Sequence, residues 1–111
     1  MEECIFCRIA KKEMEAETVY EDERIIAFRD INPAAKVHVL IIPKQHMEGI
    51  AEIASADGLA GEIMETANKI AGQEKINASG FRLLVNSGAD AGQVVNHLHF
   101  HLLGGERLKR I

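Results

Sequence analysis

No stretch of this 111-residue chain approaches the roughly 20 consecutive apolar residues that a membrane-spanning helix requires. Nor does a charged segment lead into an apolar one at the start, as a secretory leader would. The chain is therefore expected in the cytoplasm. Basic runs are also missing. Thirteen Lys and Arg against 17 Asp and Glu leave a net charge of -4, whereas a nucleic-acid polymer or an anionic membrane calls for clustered cations. The closing Arg107-Leu108-Lys109-Arg110 is too short to alter that. Cysteine is scarce: both copies sit in Cys4-Ile5-Phe6-Cys7, and no third exists to pair elsewhere. Internal repeats, low-complexity segments and linkers are absent, which implies one domain over 1–111. That length supports a real core, yet is small enough that dimerisation would help bury surface.

What is present is ordinary for a soluble globular protein in bulk, with 47% hydrophobic and 27% charged residues. The unusual feature lies near the C-terminus, in His97-Leu98-His99-Phe100-His101-Leu102-Leu103. Successive side chains of a strand point to opposite faces. If this stretch is extended, Leu98, Phe100 and Leu102 face a core and three imidazoles share the other side, roughly 7 Å apart at about 3.3 Å rise per residue. Such a row reads as a metal site or a reactive surface. Two histidines two apart on a strand can bind one ion, but no acidic residue flanks the row. The other use is nucleophilic: with an unperturbed pKa near 6.5, a neutral imidazole can attack at neutral pH. A central ring with a histidine on each side suits phosphoryl-type transfer, where positioning and charge neutralisation do most of the catalysis.

The CxxC lacks room for the preceding strand of a redox motif. It is either a pair of reduced thiols under a first helix or half of a zinc site. In the second case His46 and His97 are the natural completing ligands.

Periodicity predicts the elements. Ile5, Phe6, Ile9 and Ala10 fall at helical spacing, giving a short helix from Cys4 to about Lys12. Thr18-Val19-Tyr20 and Ile25-Ile26-Ala27-Phe28 read as strands around the turn Asp22-Glu23-Arg24. Asn32-Pro33 marks a turn, and Val37 to Ile42 reads as a buried strand ended by Pro43. Ser55 is placed to cap a long helix, with Asp57 in its first turn and Leu59, Ile63, Ala67 and Ile70 on its apolar face. Phe81 to Val85 forms a fourth strand, Ser87 to Gly92 a turn, and Val95 to Leu103 a fifth strand. Hairpins outnumber alternating units, so an α+β domain with an antiparallel sheet is expected.

The seven residues from His97 to Leu103 resemble the His-φ-His-φ-His-φ-φ signature of the histidine triad (HIT) superfamily. The remainder is similar to its Hint-like branch of small nucleotide hydrolases, through Cys4-Ile5-Phe6-Cys7, Phe28-Arg29-Asp30-Ile31-Asn32-Pro33, His38-Val39-Leu40-Ile41-Ile42-Pro43-Lys44-Gln45-His46 and Asn86-Ser87-Gly88-Ala89-Asp90-Ala91-Gly92-Gln93. These occur in the family's order from about Cys4 to Gly105. The resemblance implies a HIT fold of about five antiparallel strands, one long helix and a short N-terminal helix. It implies an enzyme acting on AMP-type nucleoside 5′-phosphate derivatives, such as nucleoside phosphoramidates. His99 would attack the α-phosphorus to form a nucleotidyl-histidine that water hydrolyses. A backbone carbonyl would hold its other ring nitrogen. His101 would contact the phosphate beside backbone N–H groups near Gly92 and Gln93, with His38 behind the row.

The resemblance further implies that Asp30 accepts the ribose hydroxyls. Ile5, Phe6, Ile9, Phe28 and Ile31 would line an apolar slot for the purine base, while Asn86 and Gln93 orient the phosphate or leaving group. Relatives in the superfamily hold zinc at positions matching Cys4, Cys7, His46 and His97. A Cys₂His₂ set is closed, so such an ion would be structural; no organic cofactor is implied. A homodimer whose sheets merge is likewise implied. Two departures stand out: Val94 sits where this branch often has Ser or Thr near the leaving group, and the tail Glu106 to Ile111 lacks a tryptophan found in some relatives. Related readings are a dinucleoside polyphosphate hydrolase of the same superfamily, and a nucleotide-binding module with little catalysis.

Overall fold

The computed structural model describes residues 4–111. In chain order it contains helix α1 (Ile5–Ala10), strands β1 (Thr18–Glu21), β2 (Ile25–Arg29) and β3 (Val37–Pro43), helix α2 (Leu59–Gln73), then β4 (Phe81–Val85) and β5 (Phe100–Gly104). The five strands form one antiparallel sheet in the order β1-β2-β3-β5-β4. Among the described residues no helix is long and apolar enough to cross a membrane.

The uninterrupted apolar runs of β2 and β3 are explained by a sheet covered on both faces. Ile25, Ala27, Val39 and Ile41 point to one side, where Leu59, Ile63, Ala67 and Ile70 of α2 meet them. Ile26, Phe28, Leu40 and Ile42 point to the other, against Phe6 and Ile9 of α1. Each such side chain, fully removed from water, contributes about 1.5–3 kcal/mol, so the two layers hold α1 and α2 on opposite faces of β2 and β3. Arg29 adds a cross-tie at the end of α2, its guanidinium donating to both carboxylate oxygens of Glu74 at 2.9 and 2.8 Å. The turn between β1 and β2 is closed by Asp22, whose Oδ1 accepts from the N–H groups of Arg24 and Ile25.

Two expectations are corrected. Ser55 does not cap α2. It ends a 3₁₀ turn over Ile50–Ser55, donating to the carbonyl of Glu52. The helix begins after Gly58, whose φ of 71° reverses the chain, and the acid in its first turn is Glu62 rather than Asp57. The fifth strand is also shorter than alternation suggested. It starts at Phe100, not Val95, because the preceding backbone bonds elsewhere: His97 N–H reaches the carbonyl of Val95 at 2.8 Å, and Leu98 N–H that of Met47 at 2.6 Å.

Candidate active site and metal centre

Alternation survives this bend. Leu98, Phe100 and Leu102 all enter the core beneath α2, while His97, His99 and His101 lie on the α1 side. His97 is wholly buried and His99 is 5% exposed. The rings of His99 and His101 are 5.0 Å apart, closer than a straight strand would set them. Phe6 of α1 meets both His97 (5.9 Å) and His99 (5.2 Å) edge-on.

Backbone partners fix the ring tautomers. Nδ1 of His99 lies 2.7 Å from the carbonyl oxygen of His97. Only an N–H can bond a carbonyl, so Nδ1 carries the proton and Nε2 keeps its lone pair. Ala34 N–H donates to Nδ1 of His38 at 2.9 Å, so Nε2 of His38 bears hydrogen and donates to Nδ1 of His101 at 3.0 Å. Nε2 of His101 is then the protonated nitrogen. Leu40 and His38 stand opposite His101 and Leu103 in the β3–β5 register, so His38 and His101 are diagonal neighbours on one sheet face. Burial, reinforced by His99 and His38, pushes His101 down to about 4 against an opposing pull from Asp30. Burial also lowers His38, again opposed by Asp30.

Asp30 follows β2 beside these rings. Its Oδ1 accepts from Asn32 N–H at 2.8 Å, closing the turn, and its Oδ2 stands 3.5 Å from His38 Nε2. Phe6, Ile9 and Phe28 are buried side by side, Ile5 is partly exposed, and Ile31 is 91% exposed at the turn. Asn86 is half-buried just after β4. Gly92 adopts a φ of 84° at the end of a 3₁₀ turn, Ala89–Ala91. Gln93 is spent on its own loop: its Oε1 accepts from Gly88 N–H at 2.7 Å and its Nε2 donates to the carbonyls of Glu48 (2.6 Å) and Val95 (3.0 Å). In this arrangement its amide closes the turn. Val94 is 91% exposed at an open cleft of about 1090 Å³ that also contacts Ile5, Cys4, Cys7 and His46.

Four potential ligand atoms converge on the same flank. Sγ of Cys4 and of Cys7 lie 3.1 and 3.5 Å from Nδ1 of His97, and Cys7 Sγ lies 3.3 Å from Nδ1 of His46. All four atoms fall within 4.8 Å of one another. Nε2 of His97 donates to the carbonyl of Pro43 at 2.9 Å, which leaves its Nδ1 lone pair turned to the sulfurs. Two thiols and two imidazole lone pairs facing one point fit a tetrahedral zinc ion, whose bonds run about 2.0–2.3 Å. Burial and the adjacent Cys4 push the Cys7 thiol up to about 11, a proton that metal binding would displace.

The sequence could not show the backbone half of this site. The carbonyls of Pro43 and His97 and the N–H of Ala34 orient the rings, the Met47 carbonyl holds the backbone of Leu98, and a main-chain group carries no residue-type signal.

The HIT domain family model matches residues 11–108, so the CxxC and α1 precede the matched segment. The chain is 46% identical over 105 residues to Protein HitA of Neisseria gonorrhoeae, covering 94% of this chain and 97% of that protein. It is 42% identical over 108 residues to the purine nucleoside phosphoramidase of Escherichia coli, covering 96% and 91%. A HIT family hydrolase from Clostridium thermocellum superposes with a TM-score of 0.94 at 49% identity, covering 100% of this chain and 97% of that one. Sequence, fold and the triad thus agree, and the chain belongs to the HIT family.

Proposed function

We propose that this protein is a nucleotide hydrolase that cleaves the bond between the α-phosphorus and its leaving group in AMP-type derivatives, with nucleoside phosphoramidates as the leading substrates. The observation that carries this reading is the tautomer of His99: a buried imidazole whose Nδ1–H is held by the His97 carbonyl keeps an Nε2 lone pair with no partner among the described residues. Nε2 of His99 forms a bond to phosphorus as the bond to the leaving group breaks; the leaving group takes a proton from solvent, while Nε2–H of His101 donates a hydrogen bond to a phosphate oxygen. Water then attacks the phosphorus, breaking the P–N bond, restoring His99 and returning a proton to solvent. Charge developing on the phosphate oxygens is met by Nε2–H of His101, a preorganised donor of the kind that stabilises transition states most, beside a turn whose Gly92 and Gln93 N–H groups donate to the carbonyls of Ala89 (3.0 Å) and Gly88 (3.2 Å).

Asp30 accepts the ribose hydroxyls through the lone pairs left by Asn32. The base lies on Phe6, Ile9 and Phe28, with Ile5 and Ile31 at its rim, and Asn86 borders the phosphate. Val94 offers methyl groups where a hydroxyl would bond an amine, so leaving-group preference is set by apolar contact at that side. The Cys4, Cys7, His46 and His97 set holds structural zinc. The edge strand β4 pairs with a second copy to give a homodimer, and the enzyme works in the cytoplasm. The name carried by the Escherichia coli relative supports the phosphoramidate assignment.

The test is incubation with adenosine phosphoramidate, a dinucleoside tetraphosphate and ADP-sulfate, with rapid quench and mass spectrometry of the protein. An adenylyl adduct mapping to His99, and its loss in His99→Ala and His99→Gly, supports the reading. Faster turnover of the dinucleotide moves the assignment to a dinucleoside polyphosphate hydrolase. Equal, slow AMP release by wild type and both variants leaves only a nucleotide-binding module.

A further inference from the structure

We infer that the Cys4, Cys7, His46 and His97 cluster is a positioning device for His99, so that metal held there governs the placement of the reactive ring and not only the stability of the fold. The catalytic part of this inference rests on the histidine-nucleophile reading above; its geometric part does not.

Strand pairing stops short of His99. Ladder contacts of β5 with β3 and β4 begin at Phe100, opposite Ile41 and Val85. His99 is therefore one residue outside the sheet, and its position depends on what holds residues 97 and 98. Three tethers do so. Leu98 N–H donates to the Met47 carbonyl at 2.6 Å, His99 Nδ1–H to the His97 carbonyl at 2.7 Å, and His97 Nε2–H to the Pro43 carbonyl at 2.9 Å. Each involves a cluster member or its neighbour: Met47 follows His46, the carbonyl that orients His99 belongs to His97, and the ring held by Pro43 is that of His97.

The four side chains come from three separate segments, the start of α1, the stretch after β3 and the stretch before β5. Thiol–imidazole hydrogen bonds between them are weak. Metal–ligand bonds at fixed length would join the 46–47 and 97–98 segments into one rigid unit. Phe6 makes a second connection: it lies between Cys4 and Cys7 in the chain, and its ring touches both His97 and His99. Because a displacement of about 1 Å at a reacting group can cost around 100-fold in rate, loosening this unit should act on turnover while leaving the Asp30 and apolar-slot contacts that determine affinity.

The experiment uses the full chain. Its zinc content is measured as purified, zinc is removed with 1,10-phenanthroline, and amide hydrogen exchange is followed at Leu98 and His99 with Ile26 and Ile41 of the β2–β3 ladder as internal controls. Adenosine phosphoramidate turnover is measured in parallel. His46→Ala is compared with His46→Cys, which keeps four ligands.

Expected results are exchange at Leu98 about tenfold faster without zinc, unchanged exchange at Ile41, and a fall in kcat of about tenfold with KM within about twofold. Added zinc should reverse these effects in wild type and His46→Cys but not in His46→Ala. The inference is overturned if no zinc binds, if zinc binds without altering Leu98 exchange, or if removal frees Ile41 as fast as Leu98, since that would make the metal purely a fold stabiliser. Absence of turnover in zinc-loaded wild type would sink the proposed activity, while the exchange comparison would still decide the positioning claim.

Discussion

Nε2 of His38 stands 3.0 Å from Nδ1 of His101, and the N–H of Ala34, 2.9 Å from the far nitrogen of His38, decides which way that bond runs. A main-chain donor thus determines, two rings away, that His101 presents an N–H. Removing His38 leaves both the Ala34 N–H and His101 Nδ1 unpartnered in a mostly buried place. His38→Ala should lower kcat by about 100-fold, the loss expected when an N–H that stabilises developing charge is misplaced, and lower stability by about 1–3 kcal/mol for the orphaned groups. Steady-state turnover of adenosine phosphoramidate and denaturant unfolding read the two effects. A variant changed only in KM would show that His38 is not orienting His101.

Acidification should destabilise the protein well before its carboxylates titrate. His101 has a folded pKa of about 4, below its ordinary value of 6.5. Between these values the unfolded chain takes a proton that the native state refuses, so stability falls as pH drops through this window and is unaffected by His101 above it. His38, also lowered by burial, acts in the same direction. Glu21 and Asp22 are held below their usual range, Glu21 by Lys12 and Lys44, and Asp22 by Tyr20 and two backbone N–H groups against the opposing effect of its burial. Their contribution is lost only at lower pH. Urea unfolding at about pH 7.5 and about pH 5 should show the loss, and His101→Gln should reduce it. An unchanged slope in that variant would refute the assignment.

Gln93 is expected to act through the loop it closes. Its amide joins Gly88, Glu48 and Val95, so Gln93→Glu would turn an acceptor toward two carbonyls that now receive hydrogen bonds. Faster amide exchange across 88–95 and a fall in kcat of roughly tenfold, equivalent to about 1.4 kcal/mol of barrier, should accompany that change. Gln93→Ala, which adds no repulsion, should be milder. If Gln93→Glu loses activity with loop exchange unchanged, the side chain is contacting substrate directly.

Much of this architecture was legible because its signals are local and strong. The apolar runs of β2 and β3 and the spacing of Leu59, Ile63, Ala67 and Ile70 each admit one arrangement. The CxxC showed half of a ligand set, and the order of motifs in the family resemblance pointed to His46 and His97, which lie far from it in sequence. Other features escaped for physical reasons. Alternation of His97 to Leu103 is satisfied equally by a ladder and by an extended segment bonded to Met47, so the true start of β5 could not be read. Ser55 is a good capping residue by type, but the chain reverses at Gly58, and a left-handed glycine leaves no comparable mark. The sequence presents Gln93 as a substrate contact, and nothing in it announces the three backbone groups of Gly88, Glu48 and Val95 that its amide also joins.

Two glycine-to-alanine changes should have opposite signs, decided by what the new methyl meets. A Cβ at Gly104 would lie 2.8 Å from Cδ1 and 3.2 Å from Cβ of Ile76. Ile76 is buried, and its backbone is tied to Ala71 and Gly80 at 3.0 and 2.9 Å, so it has little room to retreat. Gly104 is itself paired with both Val37 and Phe81. Overpacking of this kind costs about 1–3 kcal/mol. Gly61, inside α2, has nothing within 4 Å of the added Cβ, and alanine there should stabilise by about 0.5–1 kcal/mol through helix propensity. Since α2 packs on the sheet face opposite the histidines, Gly61→Ala should leave kcat unchanged. Denaturant midpoints for the two variants test the pair, and a stabilised Gly104→Ala would show that Ile76 is free to shift.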